Sequence, residues 1–363
     1  MMENNERLYV DIHVLQTVPP SCINRDDTGS PKTAVYGGVN RARVSSQSWK
    51  RAMRLMFADT LPDDMLSKRT KHIVSMVASE MEALGVENAE EAATKILTTA
   101  GLSIKSVENG TDALFFLSVA QAKALARLAK DYPETIQDKP GKDAKAMAQD
   151  ALKSSPGIDV ALFGRMVADS PSLNTDASAQ VAHSISTHRV SNEYDYFTAV
   201  DDLAPEDNAG AGHIGTVEFN SATLYRYGTL AVHELYGQLG ADTLKATREF
   251  VRAFVCSMPT GKQNTFANRT LPDAVLVTVR NDQPINLVGA FEKPVGVKDG
   301  GYVSASAKRL LDHAASVYQN FAGEPVLSLA SGEPFAQINA QPLNHLLDAL
   351  TAELSAHLGG EGK

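Results

Sequence analysis

Leu8-Tyr9-Val10-Asp11-Ile12-His13-Val14-Leu15 places Leu8, Val10, Ile12 and Val14 on one side of an extended chain and Tyr9, Asp11 and His13 on the other. That period of two predicts a half-buried first strand. Next, residues 21–32 (SCINRDDTGSPK) read as a polar loop rich in turn formers, and Val35-Tyr36-Gly37-Gly38-Val39 as a hairpin tip. The strand leaving the tip puts Arg41 and Arg43 on one face. Ser45-Ser46-Gln47-Ser48 then signals the start of a helix, in which Trp49, Ala52, Met53, Met56 and Phe57 recur at helical spacing. Its other face carries Gln47, Lys50, Arg51 and Arg54.

Further along, residues 61–155 are mostly helical in pattern, Ala-rich and amphipathic, interrupted by LFFL at 114–117, a short strand or a buried helical turn. Residues 158–163 read as another strand. From 164 to 215 periodicity is weak, and so long a stretch inside a folded protein suggests a functional arm or lid. Strands are expected at 216–227 and 274–280, and helices at 242–258 and 304–321. Two strand-helix-strand halves separated by long inserts give an α+β fold with a ferredoxin-like or RRM-like core.

The 363 residues are 43% hydrophobic and 21% charged, which excludes intrinsic disorder, and no apolar run approaches the roughly 20 residues of a membrane-spanning helix. The first ten residues lack the features of a secretory leader, and Cys22 and Cys256 show no metal spacing, so a cytoplasmic protein without a metal or other cofactor is expected. The formal net charge is -9, yet a polyanion responds to the local field, and the charges are sorted. Between Thr28 and Phe57 stand Lys32, Arg41, Arg43, Lys50, Arg51 and Arg54 without a single Asp or Glu, whereas Glu193 to Asp207 holds six acids and no Lys or Arg. A surface that tracks phosphates must keep carboxylates out, so the first stretch is the candidate anion site. The helix starting at Ser46 adds its dipole and first-turn amides to Lys50, Arg51 and Arg54.

Other motifs carry less. Gly210-Ala211-Gly212-His213-Ile214-Gly215 spells a dinucleotide fingerprint, but it leads into a strand instead of a helix, so a loop tip is expected. Asn24-Arg25-Asp26-Asp27 offers paired carboxylates for a metal-dependent nuclease, against which stands an Asx-rich turn bonding its own backbone. His183, His188 and His213 show no ligand spacing.

YVDIHVL (9–15), PSCINRDD (20–27) and VYGGVNRARVSSQSWKRAMR (35–54) together resemble the CasC family, the backbone subunit of the type I-E CRISPR surveillance complex Cascade, in the RAMP superfamily. The likeness continues through GIDVALFGRM (157–166), THRVSNEYDYFTAVDDL (187–203), HIGTVEFNSATLYRY (213–227) and PTGKQNTFA (259–267). It implies an RRM-like palm formed by residues 1–60 and 218–350, helical fingers at 61–155, a connecting segment at 156–190, an extended thumb at 191–217 and a tail at 351–363. Several copies would polymerise along one CRISPR RNA, with the thumb kinking the guide at intervals and the bases left free to pair with target DNA. Further partners would be the large, small, five-prime-handle-binding and three-prime-hairpin-binding subunits. The resemblance implies guide contacts at Arg25, Lys32, Arg41, Arg43, Ser45, Ser46, Gln47, Lys50, Arg51, Arg54, Arg165, Met166, Lys262, Gln263 and Asn264, with His213 at the far end of the thumb and Met166 as a wedge against a base. It implies no catalysis. The alternatives are a metal-dependent endoribonuclease using Asp26 or Asp27, and a monomeric RNA-binding module.

Overall fold

β1 (Tyr9–Ser21) is longer than the alternation that predicts it, and it is buried on both sides. The computed structural model describes residues 7–106, 110–167, 170–199, 213–297 and 300–359. They divide into two units, one comprising the chain up to Met53 with Val181–Thr229 and everything from Phe250 onward, the other Arg54–Gln180 with Leu230–Glu249. The protein is α+β, with one large sheet.

The sheet belongs to the first unit. Its main path runs through β1, β2 (Thr33–Tyr36), β3 (Val39–Val44), β4 (Ser184–Ser186), β6 (His213–Ala231), β7 (Ala274–Arg280) and β8 (Leu327–Ser331), and two further strands, one of them Ala179–Val181, pair with β6 off this path. The path is ordered β8-β7-β1-β6-β4-β3-β2. β1 runs antiparallel to β7, from Tyr9 opposite Arg280 to Leu15 opposite Ala274, and β4 is antiparallel to both β6 and β3. Gly37 and Gly38 turn the β2–β3 hairpin with φ of +59° and +75°, values that a two-residue tip demands and glycine supplies. Helix α1 (Ser46–Thr60) follows β3, and α2 (Thr243–Cys256) lies between β6 and β7.

The weakly patterned stretch before Gly215 contains strand in its described part. β5 (Glu193–Ala199) pairs with the first third of β6, Glu193 opposite Phe219 and Ala199 opposite His213, so β6 begins three residues earlier than the sequence suggests and serves both a ribbon and the sheet. Every residue of β5 is exposed, which explains why no hydrophobic period announces it. Gly210 to Gly212 of the glycine motif lie outside the described residues, and the chain from His213 is strand. Toward the C-terminus α5 (Leu343–Gly359) is a regular helix with Leu346, Leu347, Leu350 and Leu354 buried, so the segment expected as a tail from 351 is helical as far as Gly359.

On one side of β1 lie Val10, Ile12 and Val14, and on the other Asp11 and His13, all fully buried. The second side is not open as the alternation predicts, because Leu287, Phe291 and residues Leu310 and Ala314 of α4 (Val303–Val317) pack there with Leu15, Tyr225, Tyr227 and Leu276. The polar groups under this cover satisfy one another. Tyr227 donates its hydroxyl to Asp11 Oδ1 (2.8 Å), the Ile285 amide donates to Asp11 Oδ2 (2.8 Å), and His13 Nδ1 pairs with the Tyr225 hydroxyl (2.9 Å).

In the second unit, the helices Ile73–Ala83, Ala89–Thr99, Val119–Asp131 and Lys142–Lys153 share a core that includes Val77, Ile96, Leu97, Leu125 and Leu152. LFFL resolves as a strand, Phe115–Ser118, paired with Ser67–Thr70. Ser118 then caps the next helix by accepting the Gln121 amide (3.0 Å), while the Gln121 side chain accepts the Ser118 amide (3.1 Å). Ile158–Phe163 is a helix, not the expected strand. A six-residue apolar run carries no decisive period, and here Asp159 in the first turn favours helix and accepts the Ser67 amide (2.8 Å).

Burial raises Asp11 from its ordinary 3.8 to about 6 and lowers His13 from 6.5 to about 3. Between pH 3.8 and 6 the unfolded chain has released a proton that folded Asp11 retains, so Asp11 makes stability fall as pH rises. Between 6.5 and 3 the unfolded chain binds a proton that folded His13 refuses, so His13 makes stability fall as pH drops. The two slopes oppose each other between pH 4 and 6. Relative to wild type, Asp11→Asn should lose stability on acidification across that window, and His13→Gln should gain it, each by up to about 1.4 kcal/mol per pH unit. Urea midpoints at pH 4, 5 and 6 measure this, and parallel profiles for all three proteins would refute it.

Candidate nucleic-acid interface

Asn24 organises the polar loop after β1. Its carbonyl accepts the Lys32 amide (2.9 Å) and its side-chain Oδ1 accepts the Ser45 amide (2.9 Å), so the base of the loop and the start of α1 are tied to one residue. The Ser45 carbonyl in turn accepts the amides of Ser48 and Trp49, which starts the helix. Above Asn24 the loop closes on itself: Asp26 Oδ1 accepts from the Thr28 amide (3.0 Å), the Thr28 hydroxyl (2.7 Å) and the Ser30 amide (3.0 Å). These bonds hold the Asp26 carboxyl below its ordinary range, the Thr28 hydroxyl contributing most. Asp26 is thus engaged as an Asx turn engages it. Among the described residues no group of three or more His, Cys, Asp or Glu side chains converges on a metal-sized site.

Two of the expected contacts gather around Asn24, and a third is carried on a loop packed against Ile23. Lys32 and Arg43 are cross-strand neighbours, since the Arg43 amide donates to the Lys32 carbonyl (2.9 Å), and both line a shallow cleft with Ser21, Asn24, Val44 and Asn220. Lys262, in the left-handed region at φ +50°, heads the short helix α3 (Gln263–Phe266). The preceding Gly261 backs so closely on the Ile23 carbonyl that no Cβ would fit, which presses the 259–264 loop onto the loop after β1. Burial pushes the Cys22 thiol up, Lys262 and Arg25 pull it down, and the carboxylates of Asp26 and Glu218 push it up again, so that charges of both signs act on it. Gln47 and Arg51 are exposed on α1, Lys50 is half-buried and lowered by that burial, and Asn264 is exposed.

Other expected contacts lie elsewhere. Arg41 was expected on the basic face but is fully buried, donating from Nε to the Tyr36 carbonyl (3.1 Å), from Nη1 to Ser186 (2.9 Å) and from Nη2 to Phe291 (2.8 Å) and Glu292 (3.2 Å). It ties the hairpin to the cover of the sheet. Arg54 belongs to the second unit, where it pairs with buried Asp159 (2.8 Å) and lies 4.3 Å over the Phe116 ring. Arg165 is buried, donates to the carbonyls of Phe116 (2.9 Å), Leu152 (3.2 Å) and Leu173 (3.0 Å), and is lowered by burial to about 10. These three arginines are structural because carbonyls and a carboxylate already hold their donors. Met166 is 85% exposed beside Leu114 and Val167 in the second unit. His213 begins β6, and its side chain lies outside what is described.

Two residues that sequence reading passes over matter here. Asn24 stands in a motif read for its acids, and its role appears only once the loop is folded. His183 has no signal in spacing: it reaches Arg43 from 140 residues away, with Arg43 Nη1 3.3 Å from His183 Nδ1.

The fold and this cluster define an α+β protein that presents cations from two loops and a helix start at one edge of a large antiparallel sheet. The chain belongs to the CT1975-like protein family, whose model matches residues 10–353. It is similar over 95% of its length to a solved chain described as "CRISPR RNA-guided surveillance complex, pre-nicking", at 33% identity and a TM-score of 0.77, with 99% of that chain covered. A second, described as "CRISPR RNA-guided surveillance complex", matches with the same coverage at 30% identity and a TM-score of 0.61. No curated protein matches the chain.

Arg165→Ala should strip several buried carbonyls of a donor and cost about 2–4 kcal/mol. Arg51→Ala, on the exposed face of α1, should change stability by less than about 0.5 kcal/mol. Urea unfolding of both variants decides the assignment, and equal midpoints would return Arg165 to the candidate contacts.

Proposed function

We propose that this protein is the guide-binding backbone subunit of a type I-E CRISPR surveillance complex, of the CasC type, with no catalytic role of its own. The observation that carries the reading is the cation pair Lys32 and Arg43 beside Asn24, with the loop that carries Lys262 packed through Gly261 against Ile23. Such a group binds phosphates without reading bases. The buried faces of β1 agree with that division, because an RRM that stacks bases needs an open sheet and α4 covers this one. An RRM-like core belongs to the same reading, supported by the neighbouring strands β7-β1-β6-β4, with α1 after the first of them in sequence and α2 before the last.

In this reading the sheet unit is the palm, the helical unit the fingers, and the β5–β6 ribbon the root of the thumb. Several copies lie along one CRISPR RNA in the cytoplasm, the ribbon of each reaching a neighbour, and the exposed bases pair with target DNA. The large, small, handle-binding and hairpin-binding subunits complete the particle. No described helix is long and apolar enough to cross a membrane.

Co-expressed with a CRISPR RNA, the protein should elute with RNA of uniform length in a high-mass particle. Lys32→Ala with Lys262→Ala should weaken RNA binding equally for different guide sequences, and each lost contact should reduce the slope of log K against log salt by about 0.7. An unchanged slope would make both lysines ordinary surface. The non-catalytic part has its own assay: guide RNA and complementary RNA should survive incubation with Mg²⁺ or Mn²⁺. Site-specific cleavage that vanishes in Asp26→Asn or Asp27→Asn would overturn it.

A further inference from the structure

Where β3 leaves the hairpin and β4 begins, Arg43 lies between Lys32 and His183. Lys32 stands opposite Arg43 across the strand pair, and Arg43 Nη1 approaches His183 Nδ1 at 3.3 Å. A guanidinium has only donors, so the imidazole accepts at Nδ1 and its neutral form carries the proton on Nε2. His183 is exposed, so its ring is open to a ligand. The side chains that act electrostatically on it are Arg43 of β3 and Lys32 of the loop before β2, both cationic, and together with partial burial they hold the imidazole below its ordinary value.

Like charges placed directly opposite one another across a strand pair are destabilising. Such a group is stabilised when a ligand supplies the negative charge, and a phosphodiester fits the spacing because it presents two anionic oxygens to donors that converge from different strands. Its arrival also weakens the repulsive field at His183: one negative charge offsets part of the two cations and stands beside the ring, so the charged imidazole becomes less unfavourable and takes up a proton more readily.

We propose that His183 is a third phosphate ligand beside Lys32 and Arg43, and that it takes up a proton as the phosphate binds. The proton comes from solvent onto Nδ1, the Arg43 N–H that Nδ1 had accepted turns to a phosphate oxygen, and no bond of the RNA is made or broken. This rests on the guide-binding reading and adds to it a specific ligand and a proton linkage.

The experiment measures binding of a labelled CRISPR RNA by fluorescence anisotropy from pH 5.5 to 8 at fixed ionic strength, for wild type, His183→Gln and Lys32→Ala. Wild type should tighten on acidification by about fivefold more than His183→Gln between pH 7.5 and 6, with the two converging near pH 8. In Lys32→Ala, which removes one repelling cation, the remaining pH dependence should shift to higher pH. Identical pH slopes in wild type and His183→Gln would overturn the proposal, and so would a loss of affinity in His183→Gln that is the same at every pH. Wild type that fails to bind RNA saturably at any pH would sink the guide-binding reading and this inference together, whereas binding with an unaltered slope in His183→Gln would sink this inference alone.

Discussion

A buried guanidinium holds the sheet unit together. Arg226, on β6, is 1% exposed and pairs with no carboxylate among the described residues. It donates from Nη1 to the Gln16 side-chain oxygen on β1 (2.6 Å) and from Nη2 to the Phe254 carbonyl on α2, with the ring of Trp49 on α1 3.7 Å from its centre. Burial lowers it to about 9, because taking the guanidinium out of water disfavours its charged form. A desolvated cation over an indole face gains from the ring quadrupole what it cannot gain from water. Two strands and two helices therefore meet at one charge, and losing any one partner costs that buried cation a hydrogen bond or its ring contact.

The candidate site depends on the same contact. Trp49, besides stacking on Arg226, donates its indole N–H to Ser184 (3.0 Å) at the start of β4, one residue after His183. The start of α1 is thus fixed both from below, by Arg226 and Ser184, and from the side, by Asn24. Lys32, Arg43 and His183 sit on elements that cannot drift apart to relieve their repulsion. Preorganisation of this kind is what a phosphate-binding surface needs, because ordering costs met on folding are not incurred again on binding.

Much of this was legible in the sequence where a hydrophobic period existed to be read. β1, the hairpin at Gly37-Gly38, α1, α2 and β7 all follow from local pattern, and the acid-free run from Thr28 to Phe57 contains the Lys32–Arg43 pair. What sequence could not show is which cations face outward. Arg41 and Arg43 are two residues apart and so should share a face, yet Arg41 is drawn into the carbonyls of Ser186 and Phe291 while Arg43 remains half-exposed beside Lys32. Arg54 follows Lys50 by one helical turn, yet it finds a buried Asp159 more than a hundred residues away. Partners that distant leave no mark on spacing, and a basic residue of the fold looks the same in sequence as one that meets solvent.

The sorting of charge also explains how a chain with net charge -9 can carry a polyanion site. The described acids of the thumb-like ribbon, Glu193 and Asp195, lie on the fully exposed β5, and Glu218 across from them is held by Asn192, whose side chain donates to it (3.2 Å). At physiological salt a charge in solvent is screened over about 8 Å, so carboxylates carried out on a ribbon act mainly on what lies against the ribbon itself. The Lys32–Arg43 pair, lining a cleft with low-dielectric walls of Val18, Ile23 and Val44, is screened less and acts at full strength on a phosphate seated there. Net charge therefore governs solubility and the spacing of neighbouring molecules, while on the proposed reading affinity for a phosphate strand is set by the few residues that Asn24 and Arg226 hold in register.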